Sequence, residues 1–273
     1  MLELMMMPFL AALILTGIHV YLGVHVVERG VIFVDLALAQ IAALGAVVAA
    51  LFGFALHSPQ AYVFSLCFTF VGAAIYAFSR LKDSHVPQEA VIGITYVVAA
   101  ALAVLVLDRI PGEASHIKEM LVGNILFVSM EELARTAALY GLIGLFHYVF
   151  REKFLLISRD PEAAARAGVN VRLWDFLFYA TFGFVVTSSV SVAGVLLVFS
   201  FLIMPAVATM LFTDDCRKRL FWGWGLGALM SLVGIYASAR FDLPTGAAIV
   251  CAFGALVAGA YALRSFFPAP ARR

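Results

Sequence analysis

The sequence predicts an all-α, polytopic integral membrane protein with about eight or nine membrane-spanning helices, and three observations carry that prediction. Hydrophobic residues make up 64% of the 273-residue chain, and mean hydropathy is +1.02. Charged residues amount to only 13%, too few to cover the surface of a soluble domain of this length. Apolar runs of about 20 residues, the length that crosses a bilayer core, recur from one end of the chain to the other.

In order, the runs are 7–27, 33–56, 60–79, 88–107, 131–150, 173–190, 193–212, 220–238 and 245–264. The first has neither a basic leader nor a cleavage site and reads as a retained span. The short partners 173–190 and 193–212 allow a broken pair, and 115–128 allows a dip into the membrane. The abundant Gly (21) and Phe (24) suit helices packed in lipid.

Lys and Arg set the orientation, because cytoplasmic loops are enriched in them. Alternating the spans puts Arg29, Arg80 with Lys82, the segment 151–172, Arg217–Lys218–Arg219 and the tail Arg264, Arg272 and Arg273 on one side. That side is therefore expected to be cytoplasmic, with the C-terminus on it, in a plasma membrane. A net charge of +1 without basic runs argues against a nucleic-acid partner. Cys67, Cys216 and Cys251 have neither disulfide-framework nor zinc-type spacing.

The segment 151–172 (REKFLLISRDPEAAARAGVNVR) is a polar island in this apolar chain, with Arg151, Lys153, Arg159, Arg166 and Arg172. Its middle predicts a short, well-terminated helix. Asp160 is placed to cap it, Pro161 suits the first helical position, and Glu162 faces the positive end of the dipole. Gly168 supplies the left-handed residue that ends such a helix. A capped helix on a cytoplasmic face offers a handle to a soluble partner.

Ionisable residues inside spans are costly and point to function. Asp35 is the only acid read as intramembrane, near the start of the second span. Gln40 follows five positions on, about 140° round the helix. Asp35 is either a polar foothold for a cation or an interfacial carboxylate, hydrated or paired with Arg29. His19 and His147 read as packing or interfacial residues, His25 and His85 as edge residues. In the external loop 108–119 (DRIPGEASHIKE), Glu113, His116 and Glu119 recur every third residue, a pattern that attracts a divalent cation if helical.

No phosphate loop ending in Gly-Lys-Ser/Thr, no His-Glu-x-x-His pair and no Gly-x-Ser-x-Gly elbow occurs. The chain is expected to be neither an ATPase nor another enzyme, and to hold no permanently bound cofactor.

Three segments together resemble the metal-ion permeases of the ATP-binding-cassette transporters, the membrane subunits of bacterial zinc, manganese and iron importers. They are HVVERGVIFVDLALAQIAALGAVVA (25–49), the stretch 159–211 containing VAGVLLVFSFLIMPA, and FDLPTGAAIV (241–250). IGITYVVAAALAVLVL (92–107) and LVGNILFVS (121–129) extend the likeness over nearly the whole chain. The resemblance implies one permease domain over 1–273 that works as a homodimer in membrane lipid. A separate cytoplasmic ATPase would power it, and an external solute-binding protein would deliver a divalent metal ion. It also implies that the helix bounded by Asp160 and Gly168 docks into the ATPase.

One departure concerns the cargo. Members of this family usually carry an Asp and a His four residues apart in the second span. Here the His position falls on Gln40 and the Asp position on Leu36, with Asp35 one step earlier. A neutral amide is a poor ligand for a transition metal beside imidazole. Two alternatives remain: the same fold carrying a metal chelate or other small solute, and a self-contained secondary transporter. The second predicts an inverted repeat and deep acids; no clear repeat is visible. A membrane enzyme would need a polar catalytic cluster, and none can be assembled from the sequence.

Overall fold

Where an apolar run ends in a residue that can satisfy the free N–H groups of a helix start, a helix is observed to begin. The computed structural model describes residues 2–55, 58–80, 86–109 and 125–266, and among them it is helical almost throughout with no strand. The helices are α1 (Leu2–Arg29), α2 (Val34–Leu51), α3 (Pro59–Ser79), α4 (Gln88–Leu107) and α5 (Met130–Val149). They continue as α6 (Arg151–Arg159), α7 (Pro161–Arg166), α8 (Val171–Ala193), α9 (Val195–Met210), α10 (Cys216–Phe241) and α11 (Thr245–Phe266). Glu113, His116 and Glu119, together with His57, Lys82, His85, Arg272 and Arg273, lie outside the described residues.

The caps explain several boundaries. Ser58 Oγ accepts the Ala61 N–H at 3.2 Å ahead of Pro59, the first residue of α3. Asp215 Oδ1 accepts the N–H groups of Arg217 and Lys218 at 2.8 and 3.1 Å, starting α10. Such caps satisfy donors that the helix itself leaves unbonded. Gly194, at φ 76°, separates α8 from α9. That left-handed backbone is open to glycine at little cost.

Among the described residues seven helices are long and apolar enough to cross a membrane, and α5 with α6, bent by 74° where they meet, makes an eighth candidate. The remaining expected run, 193–212, appears as α9, which at 16 residues spans only about 24 Å. The expected break between runs 173–190 and 193–212 falls at Gly194.

The chain folds as two compact units. The first comprises residues 1–27, 121–141 and 192–273, so it holds most of α1, the start of α5, and α9 to α11. In it α1 meets α9 at Gly23, where any side chain would collide with the Leu202 carbonyl. It meets α10 where Trp224 Nε1–H donates to Gly17 O at 3.0 Å. Phe201 of α9 lies edge-on to Phe253 of α11. The α10–α11 corner is closed by Ser238, which donates to Leu243 O at 2.6 Å.

The second unit comprises residues 28–120 and 142–191, from the end of α1 through α2 to α4 and then α6, α7 and most of α8. Here α2 packs on α3 and α4. Gly45 lets α2 approach the backbone of Phe64 and Ser65. Tyr76 of α3 hydrogen-bonds Thr95 of α4 at 2.7 Å, and Thr69 meets Thr187 of α8 at 3.3 Å. Small residues that bring backbones together, and hydroxyls bonded across helices, hold helices where lipid offers no hydrophobic drive.

Gly23 supplies a direct check on this packing. Gly23→Leu forces an isobutyl group into the Leu202 carbonyl, and overpacking of this kind costs about 1–3 kcal/mol or more. The detergent-solubilised variant is expected to lose thermal stability, whereas Gly17→Ala, which meets nothing within 4 Å, is expected to keep it.

Candidate functional site

The polar island folds as two short helices, and local sequence accounts for both ends of the second. The Asp160 carboxylate accepts the Ala163 N–H at 2.8 Å, and Pro161 takes the first helical position of α7. At the other end Gly168 sits at φ 78°. Its N–H donates to Ala165 O, and the Val169 N–H donates to Ala164 O, both at 3.0 Å. That pair of bonds is the Schellman arrangement, which uses up carbonyls the helix would otherwise leave free. Asn170 then caps α8 by accepting the Leu173 N–H at 3.1 Å.

What α7 presents is polar and exposed, while one side chain faces inward. Ala164 is fully buried, and Glu162, Arg166 and Ala167 are exposed. Arg166 lies 3.5 Å from Glu162 and 3.9 Å from Asp160, contacts that at this exposure contribute only about 0–1 kcal/mol each. They leave the surface available to a partner.

The helix before it, α6, is the anchor. Its Phe154 is fully buried, stacked on His147 at 4.2 Å and set against Trp174 and Phe178 of α8. Its Ser158 accepts the Arg29 Nε–H at 2.9 Å. Arg29, from the end of α1, also donates to Asp175 Oδ1 of α8 at 2.6 Å, with its guanidinium 3.9 Å from the Phe178 ring centre. Arg80, at the end of α3, reaches Asp175 Oδ2 at 3.0 Å. Arg29 and Asp175 have 0% and 1% of their side chains exposed, so this is a buried ionic junction that ties four elements together.

Asp175 corrects two expectations. It is a second acid within a span, where Asp35 was read as the only one, and it takes Arg29, which had been the candidate partner for Asp35. The sequence signal was an acid inside the apolar run VRLWDFLFYA, with basic residues closing two other spans.

Asp35 stands in the first turn of α2 with 2% of its surface exposed, and its Oδ1 has no hydrogen-bond partner among the described residues. Gln40 is half-buried on the same helix. Glu89, in the first turn of α4, accepts the Phe33 N–H at 3.0 Å, while its Oε2 is buried without a partner among the described residues. Phe33 lies two residues before Asp35, so this acid, which sequence reading passed over, sits at the same end of α2. Its signal was an acid at the head of a span, in VPQEAVIGITYV.

The membrane histidines are built into packing. His19 Nδ1 lies 2.7 Å from Leu15 O, and His147 Nε2 lies 2.8 Å from Thr181 Oγ1. Among the described residues no three His, Cys, Asp or Glu side chains are grouped to hold a metal.

The model of the ABC 3 transport family matches residues 1–263. The chain belongs to the ABC 3 transport family. As a member it is a membrane-embedded transport subunit of the bacterial plasma membrane and not an enzyme, ATP hydrolysis being the task of a separate subunit. It is 28% identical over 249 residues to the "Probable iron transport system membrane protein" of Haemophilus influenzae, covering 91% of this chain and 89% of that one. It is 26% identical over 253 residues to the "Manganese transport system membrane protein MntC" of Halalkalibacterium halodurans, covering 92% and 85%. Its fold is similar to that of PsaBC from Streptococcus pneumoniae solved with a Fab, with TM-score 0.75 and 23% identity over 97% of this chain and 91% of that chain. A putative metal-chelate type ABC transporter, solved inward-facing, gives 0.71 and 20%, over 93% and 85%.

Removing one partner of a buried ion pair costs about 3–5 kcal/mol, because the other charge is stranded. Asp175→Ala strands Arg29 and partly Arg80, and is expected to lower thermal stability far more than Arg166→Ala, which loses only exposed contacts. Equal effects in a detergent melting experiment would contradict the anchor described here.

Proposed function

We propose that this family member is the permease subunit of an importer for a divalent metal ion, driven by a cytoplasmic ATPase and fed by an external solute-binding protein. The observation that carries the reading is the family match over residues 1–263 of a sequence that displays a capped, exposed helix yet shows no phosphate loop. Relatives named for manganese and iron transport favour those two ions, and the resemblance noted in the sequence adds zinc. The metal is cargo, and no permanently bound cofactor is proposed.

In this reading the chain is one permease domain that pairs with a second copy in membrane lipid, its C-terminus and α7 in the cytoplasm. Asp160, Pro161, Glu162 and Gly168 define the shape that enters the ATPase. Because α6 is locked to α8 through Ser158, Arg29 and Asp175, a push on α7 reaches the spans instead of bending a loop. Closure of the ATPase then shifts the balance between two arrangements of the spans. Asp35 and Gln40, with Glu113 and His116 in the external loop, are the candidate pathway residues.

Gln40 favours a second reading for the cargo alone. An amide where imidazole is usual weakens a bare-ion site, and a metal chelate needs fewer direct ligands from the protein.

Vesicles holding this subunit, its ATPase and its binding protein are expected to accumulate manganese, iron or zinc on ATP addition. Accumulation of a chelate and of none of the free ions would select the second cargo. In the same vesicles the double charge reversal Asp160→Lys/Glu162→Lys is expected to abolish uptake with membrane insertion unchanged. Normal uptake in that variant would overturn the docking role of α7.

A further inference from the structure

At one end of the first unit α9, α10 and α11 part to leave a cleft of about 590 Å³. Its walls are apolar, with Phe212, Trp222, Leu256 and Leu263 among them. Lys218 is the one charged side chain among the described residues that line it. The volume falls within the range of about 300–1,000 Å³ typical of small-molecule sites.

The end at which the cleft opens is basic. Arg217, Lys218 and Arg219 begin α10, and Arg264 stands in the last turn of α11 beside Leu263. The nearby acids are Asp214 and Asp215, so four cations face two carboxylates. Both carboxylates are engaged. Arg219, itself 3% exposed, holds Asp214 at 3.1 Å and donates to Thr213 O at 2.7 Å, fixing the rim. Asp215 accepts the backbone N–H groups of Arg217 and Lys218. Lys218 makes no salt bridge among the described residues.

An apolar cleft with one lysine in its lining is complementary to a lipid with an anionic head. We propose that it binds an anionic phospholipid, an acyl chain lying along the apolar walls and the phosphate meeting the Lys218 ammonium. Basic pockets between spans on the cytoplasmic side take anionic headgroups in this way, and Lys reaches the interface along its own apolar stem. The proposal does not depend on which cargo the permease carries.

Native mass spectrometry of the purified chain with added phosphatidylglycerol, cardiolipin or phosphatidylcholine tests it. The two anionic lipids are expected to be retained in preference to phosphatidylcholine. Lys218→Ala is expected to weaken that preference about fivefold, as the loss of one basic residue at a membrane surface implies. Lys218→Arg is expected to keep it. Gly259→Trp, in the cleft lining at a position where an added Cβ meets nothing within 4 Å, is expected to displace all three lipids while leaving helicity unchanged. Equal retention of anionic and neutral lipid would overturn the proposal. So would ready disulfide cross-linking of Gly259→Cys between two copies in native membranes, in a background with Cys67, Cys216 and Cys251 replaced by Ala, because the cleft would then be an interface between copies.

Discussion

The buried carboxylate of Asp175 is the constraint around which the second unit is arranged. Removing one such charge from water costs several kcal/mol, a cost met only if the counter-charges arrive in good geometry. Arg29 and Arg80 supply them from the ends of α1 and α3, at 2.6 and 3.0 Å. Arg29 has further fixed neighbours in Ser158 and the Phe178 ring, so its position is set from several directions. Any element that drifts strands a charge, and the ends of α1 and α3 therefore hold their places against α6 and α8.

That junction also fixes the polar island to the rest of its unit. A six-residue helix such as α7 is too short to be stable alone in water, where isolated helices need about 12–15 residues. Asp160 and Gly168 close its ends, and Ala164 buries its inner face, but its attachment comes through α6. Phe154 and Ser158 place that helix against α8 by an aromatic cluster and by the ionic junction. The exposed side of α7 is left polar and lightly paired, as suits a surface that meets another protein.

Much of this was legible in the sequence because it is local. The caps at Asp160 and Gly168 depend on residues within one turn, and the apolar runs depend on composition over about 20 residues. What escaped is long-range. Asp175 pairs with residues 146 and 95 positions away, and nothing in its neighbours foretells either. Glu89 was passed over because a charged residue at the head of a span reads as interfacial. In the fold one oxygen is tied to the start of α2 and the other is buried. The helix α6 was also missed as a separate element, since REKFLLISR reads as polar chain until its buried face of Phe154, Ile157 and Ser158 is seen.

An anchored α7 is expected to move with the spans of its own unit as one body. The direct measurement is a spin-label distance between Arg166→Cys on α7 and Val63→Cys on α3, both exposed positions of the second unit, in the assembled transporter with and without trapped ATP. The same narrow distance distribution is expected in both states, broadened when Asp175→Asn weakens the ionic junction. A distinct shift of the mean on ATP binding in the otherwise unaltered protein would contradict this, because α7 would then move independently of the spans of its own unit.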